Sequence, residues 1–405
     1  MVGHQRPCTT QSGGCSRRRA LYAAGVHDCL AVCPPGLENL LADEWRSLGL
    51  RPGRPVHGGV PFRATDRELY LANVWTRIAT RVIVRLGTFV AHSFADLEHR
   101  AATLAWHQYL CTDRPPLFRV SATKSKLYHT TAIAERLHRV TATTPLHAHP
   151  GDDVTADQVQ LVVVRFSHDK VTISIDSSGD SLHRRGWRQH VAKAPLRETL
   201  AAAMVRASGW TPDRPLADPL CGSGTIAIEA ALAASGLAPG ANRTFAFHRW
   251  PSFRPGTWAS VNAGVVAAAA DRSRRDAVAP IIAADRDEGA VRAAGANAAR
   301  AGVDDLVHVR HGALSNTVHA LRGLSPSGLL LTNPPYGERV GGHNDLRDLY
   351  ASLGGAVRDQ LPGWSLGMLV ADRSLAGQTR VPLVERFTTT NGGIDVAMVT
   401  YDPEP

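Results

Sequence analysis

Lysine is scarce in this chain of 405 residues, occurring only at Lys124, Lys126, Lys170 and Lys193. The formal net charge is nevertheless +9, so arginine supplies nearly all of the 45 basic side chains. Guanidinium groups form planar forks on phosphates and stack on bases, so the excess points to a polyanionic partner, nucleic acid first. A genome rich in G and C would produce the same bias. Metal-binding cysteine patterns are missing too. Cys8, Cys15, Cys29, Cys33, Cys111 and Cys221 form no C-x-x-C pair and no Cys/His ligand spacing, so no metal is expected and a reducing, cytoplasmic location is. No apolar run reaches the roughly 18 residues of a membrane helix, and residues 1–25 lack the apolar core of a signal peptide. No membrane partner is expected. The 44% hydrophobic and 20% charged residues that are present suffice for two or three domains with real cores.

Periodicity begins near His27, after a leader over 1–26 expected to be flexible. "CLAVC" has the length of a strand, and "PPGLENLLADEWRSLGL" puts Leu37, Leu40, Leu41, Trp45 and Leu48 on one helix face. "GGVPFRA", "DRELYLANVWTRIATRV" and "IVRLGTFVA" then read as strand, helix and strand, giving a small α+β unit over 27–88. A second unit, 89–180, reads strand, basic loop and helix through "LFRVSATKSKLYHTTAIAERLHRVT", followed by a hairpin about His168-Asp169. From 181 to 405 the pattern changes: "PLADPL", "PIIAAD", "LVHVRH", "GLLLTN" and "SLGMLVAD" are short apolar strands separated by helices, the signature of a doubly wound α/β sheet. A closing hairpin turns at Asn391-Gly392-Gly393, so the last strand is antiparallel. Seven strands ending this way fit the class I methyltransferase variant of the Rossmann-like architecture better than the dinucleotide-binding one.

Three stretches carry chemistry. In "LADPLCGSGTIAIEAA" a strand ends at Asp218, and Gly222-Ser223-Gly224 lead into a helix from Thr225. Glycines let backbone approach a ligand, and a helix N-terminus offers unpaired N–H donors. No Walker lysine follows, and Asp218 would repel a phosphate while attracting an amine, so the zwitterionic methionine moiety of S-adenosylmethionine suits the loop better than a nucleotide does. Asp218, Pro219, Cys221, Gly222, Ser223, Gly224 and Thr225 are the candidate cofactor residues. A plain tight turn is the competing reading. The second strand ends at Asp285, placed to accept both hydroxyls of a ribose; Asp287 is the alternate, or the N-cap of the next helix. The third strand ends in "VRHGALSN", with no acid at its tip, so adenine is expected to be held by backbone groups and apolar walls.

"LLLTNPPYGERV" holds the third. Two prolines can continue neither a helix nor a central ladder, so the chain turns sharply after Thr332 and aims the Asn333 side-chain oxygen and the Pro334 carbonyl into one cavity. Such a pair of acceptors holds an exocyclic amine by its two N–H groups and frees its lone pair for attack on a sulfonium methyl. The catalysis expected is positioning and electrostatics. Pro335 completes the turn, and Tyr336 offers a flat surface for an extruded base. A turn with a buried tyrosine is the bland alternative.

These residues carry a resemblance. "TNPPYGER", "DPLCGSGTIAIEAA" and "SLHRRGWRQHVAKAPLRETLAAAMVRASGW", with "CPPGLENLLADEW", "GGVPF" and "SKLYHTTAIAERL" upstream, make the chain similar to the THUMP-domain RNA guanine-N2 methyltransferases, the bacterial 23S rRNA branch in particular. The resemblance implies a ferredoxin-like segment over 27–88, a THUMP RNA-binding domain over 89–180 and the methyltransferase domain over 181–405. It further implies S-adenosylmethionine as donor, N2-methylguanosine as product and rRNA as substrate, with tRNA the alternative. Asn333, Pro334, Pro335 and Tyr336 match the family's target-base motif, Asp218 to Gly224 its cofactor loop, with Asn333 adjoining that site, and Asp285 its ribose acid. Gly312 stands where such enzymes often carry an acid, and the chain ends after one methyltransferase domain where some relatives carry a second.

Arg119, Lys124, Lys126, Arg136 and Arg139 cluster in and after one loop, as a solvated face or as a dock for RNA phosphates, with Tyr128 and His129 beside them able to stack on bases. Arg184, Arg185, Trp187 and Arg188 fall at the domain junction, where they brace the domains or line an RNA path. Adenine-N6 methylation would use the same Asn-Pro-Pro-Tyr logic, and an RNA-binding assembly protein without catalysis is the reading from another class.

Overall fold

The computed structural model describes residues 25–146, 159–189, 196–335 and 343–403; positions 1–24 of the expected leader lie outside them. Strands β1 (Val26–Val32), β2 (Gly59–Thr65), β3 (Arg81–Val90), β4 (Pro116–Thr123), β5 (Gln160–Ser167) and β6 (Lys170–Asp176) form one sheet in the order β2-β1-β3-β6-β5-β4. Residues 27–88 and 89–180 thus share a sheet, with β3 carrying the chain across. Only β4 and β5 run parallel in it; β4 is an edge. The β5–β6 turn falls on His168 and Asp169, both left-handed (φ +51° and +60°), the geometry a two-residue hairpin needs.

The helix expected over "DRELYLANVWTRIATRV" stops at Trp75. The cause is Glu44, buried on the helix Glu38–Ser47, whose carboxylate accepts from Thr76 Oγ1 (2.8 Å) and Arg77 N (2.7 Å). Thr76 is drawn into extended backbone and the chain enters β3 early. At its start this helix has Thr65 as N-cap in a reciprocal box with Glu68, so Asp66 is its first helical residue.

A seven-stranded sheet follows: β7 (Leu216–Asp218), β8 (Ile281–Asp285), β9 (Val307–His311), β10 (Gly328–Thr332), β11 (Trp364–Val370), β12 (Val384–Asn391) and β13 (Ile394–Tyr401), ordered β12-β13-β11-β10-β7-β8-β9. Strands β7 to β11 are parallel, and β13 is antiparallel to β11, as the closing hairpin requires. The order reverses between β7 and β10, where Leu329 pairs with Leu216 and Leu330 with Ala217. Ligands of open α/β sheets bind beyond the carboxyl ends of the strands at such a reversal. Here those ends are Asp218 and Thr332-Asn333.

The sheets are joined by packing and by hydrogen bonds. Tyr70 of the helix Asp66–Trp75 stacks on Phe247 (4.4 Å between centroids), and Trp250 Nε1 donates to Gln160 Oε1 (3.0 Å). Buried aromatic area of this kind contributes roughly 1.5–3 kcal/mol per side chain. Arg77 donates to the carbonyls of Leu232 (3.0 Å), in the last turn of the helix Thr225–Ala234, and of Leu237 (2.5 Å), just past its end.

Candidate active site

Asp218 closes β7 at 1% exposure, and its Oδ1 accepts from Thr332 Oγ1 (2.7 Å) and Leu220 N (3.2 Å). This link clamps the two strands on either side of the reversal. Sequence reasoning does not single out Thr332, although a polar residue closing the apolar "GLLL" is the signal that finds it. Past Pro219 and Cys221, both buried, the loop is pinned to β8: Cys221 N donates to Ala284 O (2.9 Å), and Gly222 N to Asp285 Oδ2 (2.9 Å). A side chain at Gly222 (φ +52°) would meet nothing within 4 Å, so this face of the loop is open to a ligand. At Gly224 (φ +82°) a Cβ would fall 3.0 Å from Ala294 Cβ, so this glycine serves close helix packing. Ser223 O accepts from the buried Asn297 Nδ2 (3.0 Å), an amide set in an alanine-rich helix. Thr225 Oγ1, at the helix start, accepts from Arg188 Nη2 (2.7 Å).

Asp285 and Asp287 separate cleanly. Asp285, half-buried at the end of β8, accepts from Gly222 N with one oxygen and from Asp287 N (2.9 Å) with the other, so each oxygen keeps a lone pair. Asp287 is exposed and caps the helix Glu288–Ala301 through Ala290 N (3.0 Å). Gly312 N donates to Asp285 O (3.0 Å), so the tip of β9 meets the site by backbone. Asn333 Oδ1 is buried and has no hydrogen-bond partner among the described residues. A buried acceptor left unpaired costs about 1–3 kcal/mol, so this one has capacity for a hydrogen-bond donor. Pro334 is buried and Pro335 half-buried behind it; Tyr336 lies outside the described residues.

Burial pushes the Asp218 carboxyl up to about 7, with Asp285 adding to the shift against the hydrogen bonds from Thr332 and Leu220. A carboxyl raised in the folded state keeps a proton that the unfolded chain has released. Its contribution to stability is therefore complete below about pH 4 and lost as pH rises through about 7. Asp176, pushed up to about 6 by burial against the pull of Arg81, acts in the same window. The difference in melting temperature between Asp218→Asn and the wild-type chain should thus move in the variant's favour from pH 5 to pH 8; a pH-independent difference contradicts this account of Asp218.

The RNA candidates divide into exposed and committed groups. Arg119, Lys124, Lys126, Tyr128, Arg139 and Arg184 are exposed. Asp169 organises the basic loop, accepting from Lys126 N (2.6 Å) and donating its own N–H to Ser125 Oγ (3.0 Å). Tyr128 is 63% exposed and packs on the His129 ring. Arg136 is paired with Glu98 (3.1 Å) and lies over Phe94. Arg185 is corrected from a candidate RNA ligand to a brace: buried, it pairs with Glu229 (3.3 Å) and donates to Leu182 O and Arg77 O (2.6 Å each). Arg188 is likewise paired with Glu198 (3.2 Å).

Among the described residues no helix is long and apolar enough to cross a membrane. Residues 185–400 match the family described as RMKL-like, methyltransferase domain, and residues 28–83 match the RlmL ferredoxin-like domain. The chain is 31% identical over 379 residues to the ribosomal RNA large subunit methyltransferase K/L of Vibrio parahaemolyticus, covering 93% of this chain and 53% of that protein. It spans about half the length of such relatives. A putative RNA methyltransferase of Synechocystis is 29% identical over 385 residues, covering 94% of this chain and 98% of its own. Two solved structures share the fold: a predicted N6-adenine-specific DNA methylase from Listeria monocytogenes (TM-score 0.82, 29% identity, 95% and 98% coverage) and SMU.472, a putative methyltransferase complexed with SAH (TM-score 0.81, 28%, 94% and 99%). The family match spans more than half of the chain, over the whole seven-stranded sheet but the tip of its last strand, and the chain belongs to the RMKL-like methyltransferase domain family.

Proposed function

We propose that this protein is an S-adenosylmethionine-dependent RNA methyltransferase acting on the exocyclic N2 of a guanosine, in 23S rRNA. The observation that carries the reading is the unpaired, buried Asn333 Oδ1 at the strand reversal, next to the Asp218–Thr332 clamp and the open face of Gly222. S-adenosylmethionine supplies an electrophilic sulfonium methyl when bound. The residues fit it: the loop Asp218 to Thr225 offers backbone N–H groups and a carboxylate to an amino-acid moiety, and Asp285 has lone pairs for ribose hydroxyls. Asn333 Oδ1, with the Pro334 carbonyl, accepts the N–H groups of the guanine amine, which orients its lone pair and excludes water from it. No strong base has to act before transfer. Residues 89–180 are read as a THUMP domain whose exposed Arg119, Lys124, Lys126 and Arg139 hold RNA phosphates, and the protein as cytoplasmic.

Transfer of labelled methyl from S-adenosylmethionine to unmodified large-subunit rRNA tests the proposal; label in DNA or in no nucleic acid overturns it. Asp285→Ala should weaken cofactor binding by about 1.5–3 kcal/mol, since hydrogen bonds to a charged group are lost. Asp287→Ala should leave the dissociation constant within about twofold while lowering the melting temperature through loss of the cap. Calorimetry on both variants checks this, and an inverted result moves the ribose role to Asp287.

A further inference from the structure

At the junction of the two sheets lies a cavity of about 630 Å³ for which the catalytic reading has no use. Five arginines and His183 line it, against the acids Asp180 and Glu198. Two of the guanidiniums are neutralised, Arg185 by Glu229 and Arg188 by Glu198. The other three are not. Arg243 donates to the carbonyls of Asp180, Ser181 and Arg184 (2.5–2.9 Å) and lies over the Phe245 ring, but it has no ion pair among the described residues, and its buried Nε has no hydrogen-bond partner there. Arg184 stands 3.7 Å from Asp180 with both side chains at least 66% exposed, a pairing that water screens. Arg197 is exposed at the rim. His183 registers the resulting field: burial first, and then Arg197, Arg184, Arg185 and Arg188, push its ring down to about 4.

The cavity leads somewhere at both ends. Arg188 touches Thr225 Oγ1 at the start of the helix behind the cofactor loop (2.7 Å). In the other direction Asp180 is shared with a second cavity of about 190 Å³, where Arg119 of the edge strand β4 and Arg249 stand beside the buried Arg114, paired with Asp113, and the buried Asp176, paired with Arg81. Arg197, Arg184 and Arg243, whose charge no buried acid cancels, thus lie between the paired Arg188 beside the loop and the β4 edge, where Arg119 and Arg249 continue them; such a spread of cations is what a phosphodiester backbone neutralises.

We propose that the junction cavity holds phosphodiester groups of the RNA strand adjoining the target guanosine, with the strand continuing past Asp180 toward β4. This rests on the RNA substrate assigned above. The test uses the full chain with Arg184→Glu and Arg197→Glu combined, both at exposed positions, and the Arg184→Lys, Arg197→Lys pair as the conservative control. The probes are a labelled single-stranded RNA oligonucleotide and unmodified large-subunit rRNA. The glutamate pair should raise the oligonucleotide dissociation constant and the KM for rRNA at least about tenfold, leave kcat within about threefold, and flatten the salt dependence by roughly 0.7 per lost phosphate contact. The lysine pair should restore most of the affinity. In the wild-type chain, RNA binding should raise the His183 pKa seen by NMR. Unchanged RNA affinity and salt slope in the glutamate pair, with wild-type protein methylating RNA, overturns the cavity assignment alone; wild-type protein that neither binds nor methylates RNA overturns it together with the substrate assignment.

Discussion

Replacing Asn333 with alanine should abolish methyl transfer, by a factor on the order of 10²–10³ or more in kcat, while the affinity for S-adenosylmethionine stays within a few-fold of wild type. The size follows from the chemistry. Removing one preorganised hydrogen-bonding group from a water-excluded site costs about that much, and in the proposed role the group both binds the amine and sets the direction of its lone pair. The selectivity follows from the geometry. Asn333 Oδ1 makes no bond to the cofactor loop, whose shape is set instead by Asp285, Ala284 and Asn297. Single-turnover transfer and calorimetry on the same preparation separate the two effects. A large loss of cofactor affinity would refute the assigned role, and unimpaired transfer would overturn the reading of the turn itself.

The largest effect on stability is expected at Arg185. Arg185→Met leaves the Glu229 carboxyl group at 0% exposure with its ion partner gone, and two carbonyls unserved. Breaking a buried pair from one side costs about 3–5 kcal/mol, whereas replacing both partners with apolar side chains of similar size is often close to neutral. Arg185→Met should therefore shift the urea midpoint far down, and adding Glu229→Met should recover much of the loss. Because Arg185 also donates to Arg77 O, and Arg77 reaches Leu232 and Leu237, the single variant should loosen the junction as well. Faster proteolysis near Arg77 would report that loosening. A midpoint within measurement error of wild type would show that the pair does not brace the fold.

Much of this molecule is legible in its amino-acid order. Most of the parallel strands of the second sheet stand out as short apolar runs closed by a polar or turn-forming residue, whereas the polar β12 (VERFTTTN) is found through the turn that follows it. Gly392-Gly393 and His168-Asp169 mark the hairpins that the structure contains. The cofactor loop and the Asn-Pro-Pro turn come together at the strand reversal, as their positions at strand ends require. What stays hidden depends on contacts distant in sequence. Nothing in "DRELYLANVWTRIATRV" says that a glutamate more than 30 residues earlier will capture Thr76 and Arg77 and end the helix. "LHRRGWR" reads as one basic run, yet its arginines have different fates: Arg184 faces solvent, while Arg185 and Arg188, in irregular chain, each find a buried glutamate on a helix. Thr332 and Asn297 are ordinary residues until folding sets them against Asp218 and Ser223.

The most direct measurement of the central claim is mass spectrometry of nucleosides after purified protein and S-adenosylmethionine are incubated with unmodified RNA, the rRNA and tRNA fractions kept apart. N2-methylguanosine in the large-subunit rRNA fraction, absent with Asn333→Ala, is the predicted result. N2-methylguanosine in tRNA alone would keep the chemistry and contradict the substrate. N6-methyladenosine, or no methylated nucleoside in either fraction, would contradict the account of Asn333 as the acceptor of a guanine amine.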